Sequence, residues 1–376
     1  MLLPGIWHLA LIFTYDQSFS FSLSSLLHKT TNTSPESALP SIANAYIMLA
    51  RLYARIPRLI AALLVLCLLL HTAQASTGDR LPEFRECVKI CERENCYSEK
   101  PTPIPIHRRL LLWTCPQECD HTCQHIVTAK RVARGEDITQ FHGKWPFVRV
   151  LGMQEPFSVL FSVGNFLAHQ NGLAKLREQI PASYHLRPYY EMFAYFGMAA
   201  WVFSTIFHIR DFAATEQMDY LAAGADVLYG MYYTPMLVFR VERPSPRRLS
   251  LIRLWTILCC TLYGCHVLYL KMWKWDYSYN MTANVIVGLI QNSILTYWSY
   301  KQYREIRQLW TILPGILVAW LLMAMSLELL DFPPLWGAID AHSLWHLGTI
   351  PVAAIWYRFL VKDAQEDISS NAKLKF

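Results

Sequence analysis

From residue 156 onward, the chain alternates apolar runs of about 20 residues with short polar loops. An apolar run of this length spans the hydrocarbon core of a bilayer as a helix, because only a helix satisfies its backbone polar groups internally. The predicted spans lie near residues 156–172, 189–209, 219–239, 250–270, 280–299, 309–330 and 341–361. The sequence therefore predicts an all-α integral membrane fold, with a seven-transmembrane helix bundle over residues 156–362.

The composition also indicates a membrane protein. Of the 376 residues, 53% are hydrophobic and only 16% are charged, against roughly 25% charged in ordinary soluble domains. The formal net charge is +6, and the basic residues lie between the apolar runs rather than on one basic face. The composition argues against a disordered chain, and the charge distribution argues against nucleic-acid binding.

The amino-terminal region is predicted to contain a signal peptide. Residues 59–70 form a short apolar run that follows three arginines and precedes Ala73-Gln74-Ala75, which is the three-part form of a secretory signal. This signal begins naturally at Met48, so we predict an upstream extension over residues 1–47 and a signal peptide over residues 48–75. An uncleaved signal anchor is the alternative, and both place the following segment outside the cytosol.

Residues 76–155 are predicted to form a small disulfide-rich lumenal domain. This polar segment contains six of the ten cysteines: Cys87, Cys91, Cys96, Cys115, Cys119 and Cys123. An even cluster in a secretory compartment indicates three disulfides, whose connectivity the sequence leaves open. A four-residue step places cysteines on one helical face, which favours a helical hairpin. The alternative is a zinc site that uses His121 and His125, and the absence of C-x-x-C spacing disfavours it.

The loops between the predicted spans differ in positive charge, and Lys and Arg are retained on the cytoplasmic side. One set of loops contains Lys175, Arg177, Arg187, Arg240, Arg243, Arg247, Arg248, Lys301, Arg304, Arg307, Arg358 and Lys362. The opposite set contains Arg210, Lys271 and Lys274. This asymmetry predicts a cytosolic tail over residues 363–376 and a lumenal segment before the first span. Asn280 begins a glycosylation sequon on the lumenal side, close enough to the membrane to disfavour its use.

Ionisable residues within a span are costly, so they mark candidate functional sites. Five polar residues lie at similar depth near the lumenal ends of their spans: Ser204, His208, Asp219, His342 and His346. Three neutral imidazoles suit a catalytic Zn²⁺ that keeps an open position for water. Asp219 is predicted to hold or deprotonate that water, and Ser204 to donate a hydrogen bond to it or to a developing oxyanion. The predicted reaction is metal-assisted hydrolysis of an acyl bond in a membrane lipid.

Two other interpretations of these five residues remain open. Histidines four residues apart share a helical face, and they could serve only in interhelical hydrogen bonds. Ser204, His208 and Asp219 could instead form a nucleophilic triad. The triad would leave His342 and His346 without a role.

Four further polar residues lie within or beside the predicted spans. His266 and Asp226 are predicted to be packing residues, although either could join the site. Glu328 and Asp331, at the end of the sixth span, are candidates for orienting the ligating histidines.

The chain resembles the post-GPI-attachment-to-proteins phospholipases, a family that remodels the lipid of GPI anchors, over roughly residues 78–365. The resemblance is carried by Gly78-Asp79-Arg80 with the six cysteines, the stretch Gln140 to Phe147, Ser204 to His208 with Arg210-Asp211, Met218-Asp219-Tyr220, and Asp340 to His346. This family is placed in a superfamily with alkaline ceramidases and adiponectin-type receptors. The superfamily pattern, a Ser four residues before a His, an Asp and a late His-x-x-x-His, matches the five polar residues one by one.

The resemblance implies a deacylase that removes the sn-2 fatty acid from the inositol phospholipid of GPI-anchored proteins. It implies GPI-anchored proteins and their lipid as partners, on the lumenal leaflet of the endoplasmic reticulum membrane, with the Golgi membrane as the alternative. The competing functions are an alkaline-ceramidase-like amide hydrolase, and a non-catalytic receptor or GPI-protein chaperone with a structural zinc. The cysteine-rich segment and His142-Gly143-Lys144-Trp145 argue against the ceramidase.

Overall fold

The computed structural model describes residues 76–240 and 246–373. These residues form helices joined by turns and isolated β-bridges, with no strand among them. The predicted upstream extension (1–47) and signal peptide (48–75) lie outside the described residues.

The cysteine-rich segment contains α1 (Pro82–Asn95), the short α2 (Ile106–Leu110) and α3 (Cys115–Ala133). Two disulfides join α1 to α3, pairing Cys87 with Cys123 and Cys91 with Cys119, and a third joins Cys96, directly after α1, to Cys115. As the residue number of the first cysteine increases, the residue number of its partner on α3 decreases. The two helices therefore run antiparallel. The predicted disulfide-linked helical hairpin is confirmed, and the connectivity is now defined.

Seven long helices follow in the described part of the chain, and each overlaps one predicted span. They are α4 (Pro156–Gln179), α5 (Arg187–Ile209), α6 (Ala213–Phe239), α7 (Pro246–Leu268), α8 (Tyr277–Ile306), α9 (Leu313–Leu330) and α10 (Ala341–Lys373). By length and apolar composition, four regions of the described residues can cross a membrane: Arg187–Ile209, Arg247–Trp273, Leu309–Glu328 and Ala341–Ser370. An all-helical chain with several apolar helices is confirmed, whereas the count of seven spans remains a prediction.

The long helix α4 is not among these four regions, because it contains several polar residues. Ser158, Ser162, Asn165 and His169 follow one another at helical spacing on this helix, and all four are buried. Its outward positions include the exposed Leu160, Val163 and Leu167. The polar residues of α4 therefore face the interior of the bundle, where intramembrane polar groups find partners.

Six of the long helices form a closed ring around this interior. In order of contact they are α4, α5, α6, α8, α9 and α10, and α10 returns to α4. The helix α7 packs on α6 outside the ring and exposes Leu251, Leu254, Ile257 and Leu262. Two close approaches need glycine, because a Cβ at Gly172 would overlap the Tyr357 ring and a Cβ at Gly197 would overlap the His169 ring.

Candidate metal centre

Three histidines converge where the end of α5 meets the start of α10. His208 lies on the last turn of α5, and His342 and His346 lie on the first two turns of α10. One nitrogen of each ring lies within 4.8 Å of the other two. His208 and His346 are each only 2% exposed. We call this end of the helix bundle the histidine end.

The start of α10 is fixed by a reciprocal cap that sets the direction of its histidines. Asp340 Oδ1 accepts a hydrogen bond from the Ser343 N–H at 2.8 Å, and Ser343 Oγ accepts one from the Asp340 N–H at 3.0 Å. Such a cap satisfies backbone donors that the helix itself leaves unpaired. His342 and His346 then lie one turn apart on the face of α10 toward α5.

Each of the three imidazoles has a protein partner at its Nδ1 atom. The His208 Nδ1 lies 2.8 Å from Glu155 Oε2, and the His342 Nδ1 lies 2.7 Å from Glu328 Oε2. The His346 Nδ1 lies 3.0 Å from Ser162 Oγ. Contacts of this kind orient the histidine ligands of metal sites and fix the tautomer that binds through Nε2.

The spacing of the Nε2 atoms fits a metal ion. The Nε2 atoms of His208 and His342 lie 3.4 Å apart, and two zinc–nitrogen bonds at a tetrahedral angle would separate them by about 3.3 Å. The donor set of three imidazoles, each held at Nδ1 by an oxygen, is suited to a zinc site with an open coordination position. The predicted grouping of the three histidines is therefore present in the structure.

Glu155 connects His208 to the segment before α4. Its carboxylate accepts a hydrogen bond from Lys144 Nζ at 2.5 Å, and Lys144 also pairs with Asp211 Oδ2 at 3.0 Å. Burial would raise the pKa of Glu155, but Lys144 and His208 outweigh that effect and hold the pKa well below its ordinary value. The carboxylate is therefore a charged acceptor for His208.

The backbone of this segment closes the end of α5. The N–H groups of Gln154 and Glu155 donate to the carbonyls of Ile209 and His208 at 3.0 and 3.1 Å. The last carbonyls of a helix have no partner within the helix, so these bonds fix the chain beside His208. The Gln140 to Phe147 stretch thus reaches the metal centre through Lys144 and Glu155.

Ser162 links Ser204 to His346. Its Oγ lies 3.1 Å from Ser204 Oγ and 3.0 Å from His346 Nδ1, and the side chain is fully buried on α4. Sequence reasoning missed Ser162, because a lone serine in an apolar run is common. The polar spacing along α4 is the signal that points to it.

Asp219 lies near the start of α6 and is half-buried. Its carboxylate is within electrostatic range of His208 and His342. It is not one of the converging ligand groups, which are the three histidines. The structure thus places Asp219 beside the centre, and a role in handling water remains a proposal.

The other candidates have varied positions. Glu328 contacts His342 as predicted, whereas Asp331 accepts hydrogen bonds from Trp145 Nε1 at 2.9 Å and Gln140 Nε2 at 2.8 Å. The sequence predicts that Asp331 orients a histidine, but in the structure its carboxylate contacts the segment before α4 instead. Asp226 and His266 lie outside the histidine group, and His266 Nδ1 lies 3.3 Å from the Tyr279 hydroxyl.

The alternative zinc site on α3 loses its cysteine ligands, since all six cysteines of that segment form disulfides. The Nε2 atoms of His121 and His125 each lie 3.1 Å from the Phe147 carbonyl. Burial and the nearby Arg149 lower the pKa of His121 to about 3. Asn280 is buried and its amide oxygen accepts a hydrogen bond from Asn284, which disfavours a glycan there.

Comparison with known proteins gives matches across most of the chain. The model of the Per1-like family matches residues 105–364, a range that includes His208, His342 and His346, which we call the histidine centre. The Protein PER1 homolog of Schizosaccharomyces pombe is 38% identical over 308 residues, which cover 81% of this chain and 92% of that protein.

Two vertebrate relatives are both named GPI-specific phospholipase A2-like PGAP3. The protein from Cricetulus griseus is 38% identical over 321 residues, covering 84% of this chain and 98% of its own length. The protein from Homo sapiens is 37% identical over 297 residues, covering 78% and 90%. No solved structure matches the chain.

Proposed function

The chain belongs to the Per1-like family, and from that premise we propose that it is a zinc-dependent hydrolase of GPI-anchor lipids. The proposed reaction removes the sn-2 fatty acid from the inositol phospholipid of GPI-anchored proteins. The substrate class comes from the names of the relatives. Metal-dependent hydrolysis is supported by the three imidazoles, each of which is held at Nδ1 so that its Nε2 is available to a metal.

His208, His342 and His346 would hold the ion. When bound, zinc would polarise the ester carbonyl and lower the pKa of a water molecule to roughly 7. Asp219 lies within electrostatic range of two of the three histidines and would accept the proton of the attacking water.

Ser204 would stabilise the developing oxyanion through a defined chain of donors. If His346 binds metal through Nε2, its Nδ1 must carry the proton, and it can then donate to Ser162 Oγ, 3.0 Å away. The Ser162 hydroxyl can then donate to Ser204 Oγ, 3.1 Å away. The Ser204 proton is left to point at the substrate oxygen, which is the arrangement that oxyanion stabilisation requires.

The proposed topology has seven spans, with the histidine end in the lumen of the endoplasmic reticulum or, alternatively, the Golgi. Disulfides form in oxidising compartments, and the disulfide-linked segment contacts the histidine end through Lys144 and Trp145. The basic loops lie at the other ends of the helices, as the charge rule requires of cytosolic loops. The disulfides and the basic loops thus independently favour a lumenal site.

The test is mass spectrometry of GPI anchors from cells that lack the protein. We expect the original sn-2 chain to be retained, and to be removed again when the wild-type chain or His185→Ala is expressed. His185 is an exposed histidine between α4 and α5 and serves as the matched control. His342→Ala and His346→Ala should fail to restore removal.

If the sn-2 chains of GPI anchors in the deleted cells are the same as those in wild-type cells, the substrate assignment is overturned. Accumulation of ceramide in the same lipid extracts would favour the amide-hydrolase alternative. Restoration by both histidine variants would overturn the metal-dependent chemistry.

A further inference from the structure

Three arginines from separate parts of the chain gather at the histidine end. Arg108 lies on α2, Arg149 lies in the segment before α4, and Arg210 follows α5 directly. The Cζ atoms of Arg149 and Arg210 lie 3.2 and 3.6 Å from the centroid of the Trp113 ring. Two guanidinium groups this close to one centroid must lie on opposite faces of the indole. We call these three arginines the arginine cluster.

The arginine cluster has more positive charge than its carboxylate can balance. Glu118 accepts hydrogen bonds from Arg108 Nη1 at 2.5 Å and from Arg149 Nη1 at 2.9 Å. Arg210 bonds instead to neutral groups, the Asp211 carbonyl at 3.0 Å and Gln117 Oε1 at 2.8 Å. The Asp211 carboxylate pairs with Lys144 Nζ. Glu118 thus bonds to two of the three guanidinium groups, while Asp211, whose charge also acts on Arg210, is shared with Lys144.

The burial of Arg149 and Arg210 makes the imbalance of charge costly. The Nε atoms of all three arginines are buried and have no hydrogen-bond partner among the described residues. The Arg149 side chain is only 7% exposed. Burial lowers the pKa of Arg149 to about 10, Glu118 opposes this, and Arg210 and Arg108 add repulsion. A buried unpaired charge is expensive, so an anion that enters the cluster would be bound favourably.

The surroundings of the cluster favour an anion that comes from a lipid. Leu112 and Leu151 are 65% and 75% exposed, and both have positive φ values, 60° and 54°. This conformation is unfavourable for leucine. The two loops are neighbours, since a Cβ on Gly152 would lie 3.1 Å from Leu111 and 3.6 Å from Arg108. Exposed apolar side chains therefore flank the basic groups, as in proteins that bind at a membrane interface.

We propose that Arg108, Arg149 and Arg210 form a phosphate-binding site that recognises the phosphodiester of the lipid substrate. Guanidinium groups bind phosphate oxygens through charge-assisted hydrogen bonds. Arg210 is two residues after His208, and only the glycerol backbone separates the phosphate of a phospholipid from its sn-2 ester. The headgroup role rests on the proposed function, whereas binding of a phosphate group by the cluster does not. The same chemistry would also accept free phosphate.

The test measures ligand affinity by calorimetry on the full chain in detergent, in a His342→Ala background that prevents turnover. The probes are inorganic phosphate, dihexanoyl phosphatidylinositol, and dihexanoylglycerol, which lacks the phosphate. We expect phosphatidylinositol to bind and dihexanoylglycerol to bind at least 10-fold more weakly. Arg149→Gln should weaken phosphatidylinositol binding by about 10-fold or more, because it removes a charge-assisted hydrogen bond.

Two further variants control for folding and for general charge. Arg149→Gln also removes a guanidinium group that packs on Trp113, so Arg108→Gln, at a half-exposed position, is a second variant that should give a similar loss. Arg109→Gln changes an exposed arginine of the same helix and should bind like the parent. Binding that is unchanged in both Arg149→Gln and Arg108→Gln overturns the site, and so does an absence of binding of both phosphate probes to the parent.

The probes also distinguish a lipid headgroup from free phosphate as the source of the anion. Together with an assay of fatty-acid release, they distinguish failure of the phosphate site from failure of the proposed function. Binding of phosphatidylinositol supports the headgroup role, whereas binding of inorganic phosphate alone overturns that role and leaves an anion site. Fatty-acid release by the wild-type chain, with unchanged binding in the arginine variants, overturns only the phosphate site. Arginine-dependent binding without any fatty-acid release by the wild-type chain overturns only the proposed function.

Discussion

Glu155 Oε2 lies 2.8 Å from His208 Nδ1, so a residue immediately before α4 orients a histidine at the end of α5. The same carboxylate accepts a hydrogen bond from Lys144 Nζ at 2.5 Å. The geometry of the histidine centre therefore depends on the segment between the disulfide hairpin and the helix bundle. The cysteine-rich segment is therefore structurally connected to the histidine centre through Lys144 and Glu155.

Replacement of Glu155 by Gln should weaken metal binding. The change removes the negative charge that orients His208 and pairs with Lys144, and the loss of such a contact typically costs 10- to 100-fold, or about 1.4 to 2.7 kcal/mol, in metal affinity. The measurement is zinc competition with a chelator of known affinity on the purified protein. Glu178→Gln, which alters an exposed glutamate at the other end of α4, is the matched control. An unchanged zinc affinity in Glu155→Gln would contradict the role of this contact.

Replacement of Ser162 by Ala should lower the rate of hydrolysis while zinc remains bound. The variant interrupts the chain from His346 Nδ1 to Ser204 Oγ, and loss of an oxyanion donor costs roughly 100-fold or more in kcat. Because Ser204 itself remains, we expect a loss of about 10-fold. Ser158→Ala is the control, since Ser158 Oγ is buried one turn away without a hydrogen-bond partner among the described residues. Equal rates for the two variants would refute the chain.

The paired change Cys91→Ser and Cys119→Ser should destabilise the helical hairpin. The two flanking disulfides already shorten the loop that this disulfide closes in the unfolded chain. We therefore expect a loss of about 2 kcal/mol, at the lower end of the usual range. Amide hydrogen exchange of α1 and α3 in the full-length protein measures it. Cys260→Ser, at an exposed free cysteine, should leave exchange unchanged, and wild-type protection in the double variant would contradict the prediction.

Replacement of Asp363 by Asn should destabilise the end of the bundle opposite the histidines. Arg240 Nη2 lies 2.9 and 2.8 Å from the two carboxylate oxygens of Asp363, which is buried. Removing one partner leaves a charge that is both buried and unpaired, at a cost of about 3 kcal/mol. Thermal unfolding in detergent measures the loss. As the control, Lys362→Gln breaks an exposed pair with Glu366 and should change stability by only about 0.5 kcal/mol. A similar loss of stability in both variants would contradict a special contribution of the pair between Arg240 and Asp363.

The sequence predicts the long helices well because hydropathy marks their apolar stretches. It places their ends less well, since α6 begins at Ala213 rather than at the predicted 219, and α10 continues to Lys373 rather than ending at 361. Polar residues of a helix end carry no hydropathy signal, yet they continue the backbone hydrogen bonds. The boundary of a span and the boundary of a helix are different physical limits.

The histidines of the site are predictable, and most of their partners are not. Ionisable groups inside an apolar run stand out because burial of charge is costly. Glu155 lies one residue before α4, where a carboxylate is ordinary, and Ser162 differs little from other serines in membrane helices. Their importance follows from tertiary contacts with His208 and His346, which no local pattern contains.

The most direct test of the account uses purified protein and a GPI inositol phospholipid whose sn-2 chain is isotopically labelled. We predict that zinc-loaded protein releases the labelled fatty acid, that a chelator stops release, and that stoichiometric zinc restores it. His342→Ala should release none. Full release of labelled fatty acid by metal-free protein, or release of only the unlabelled sn-1 chain, would contradict the account.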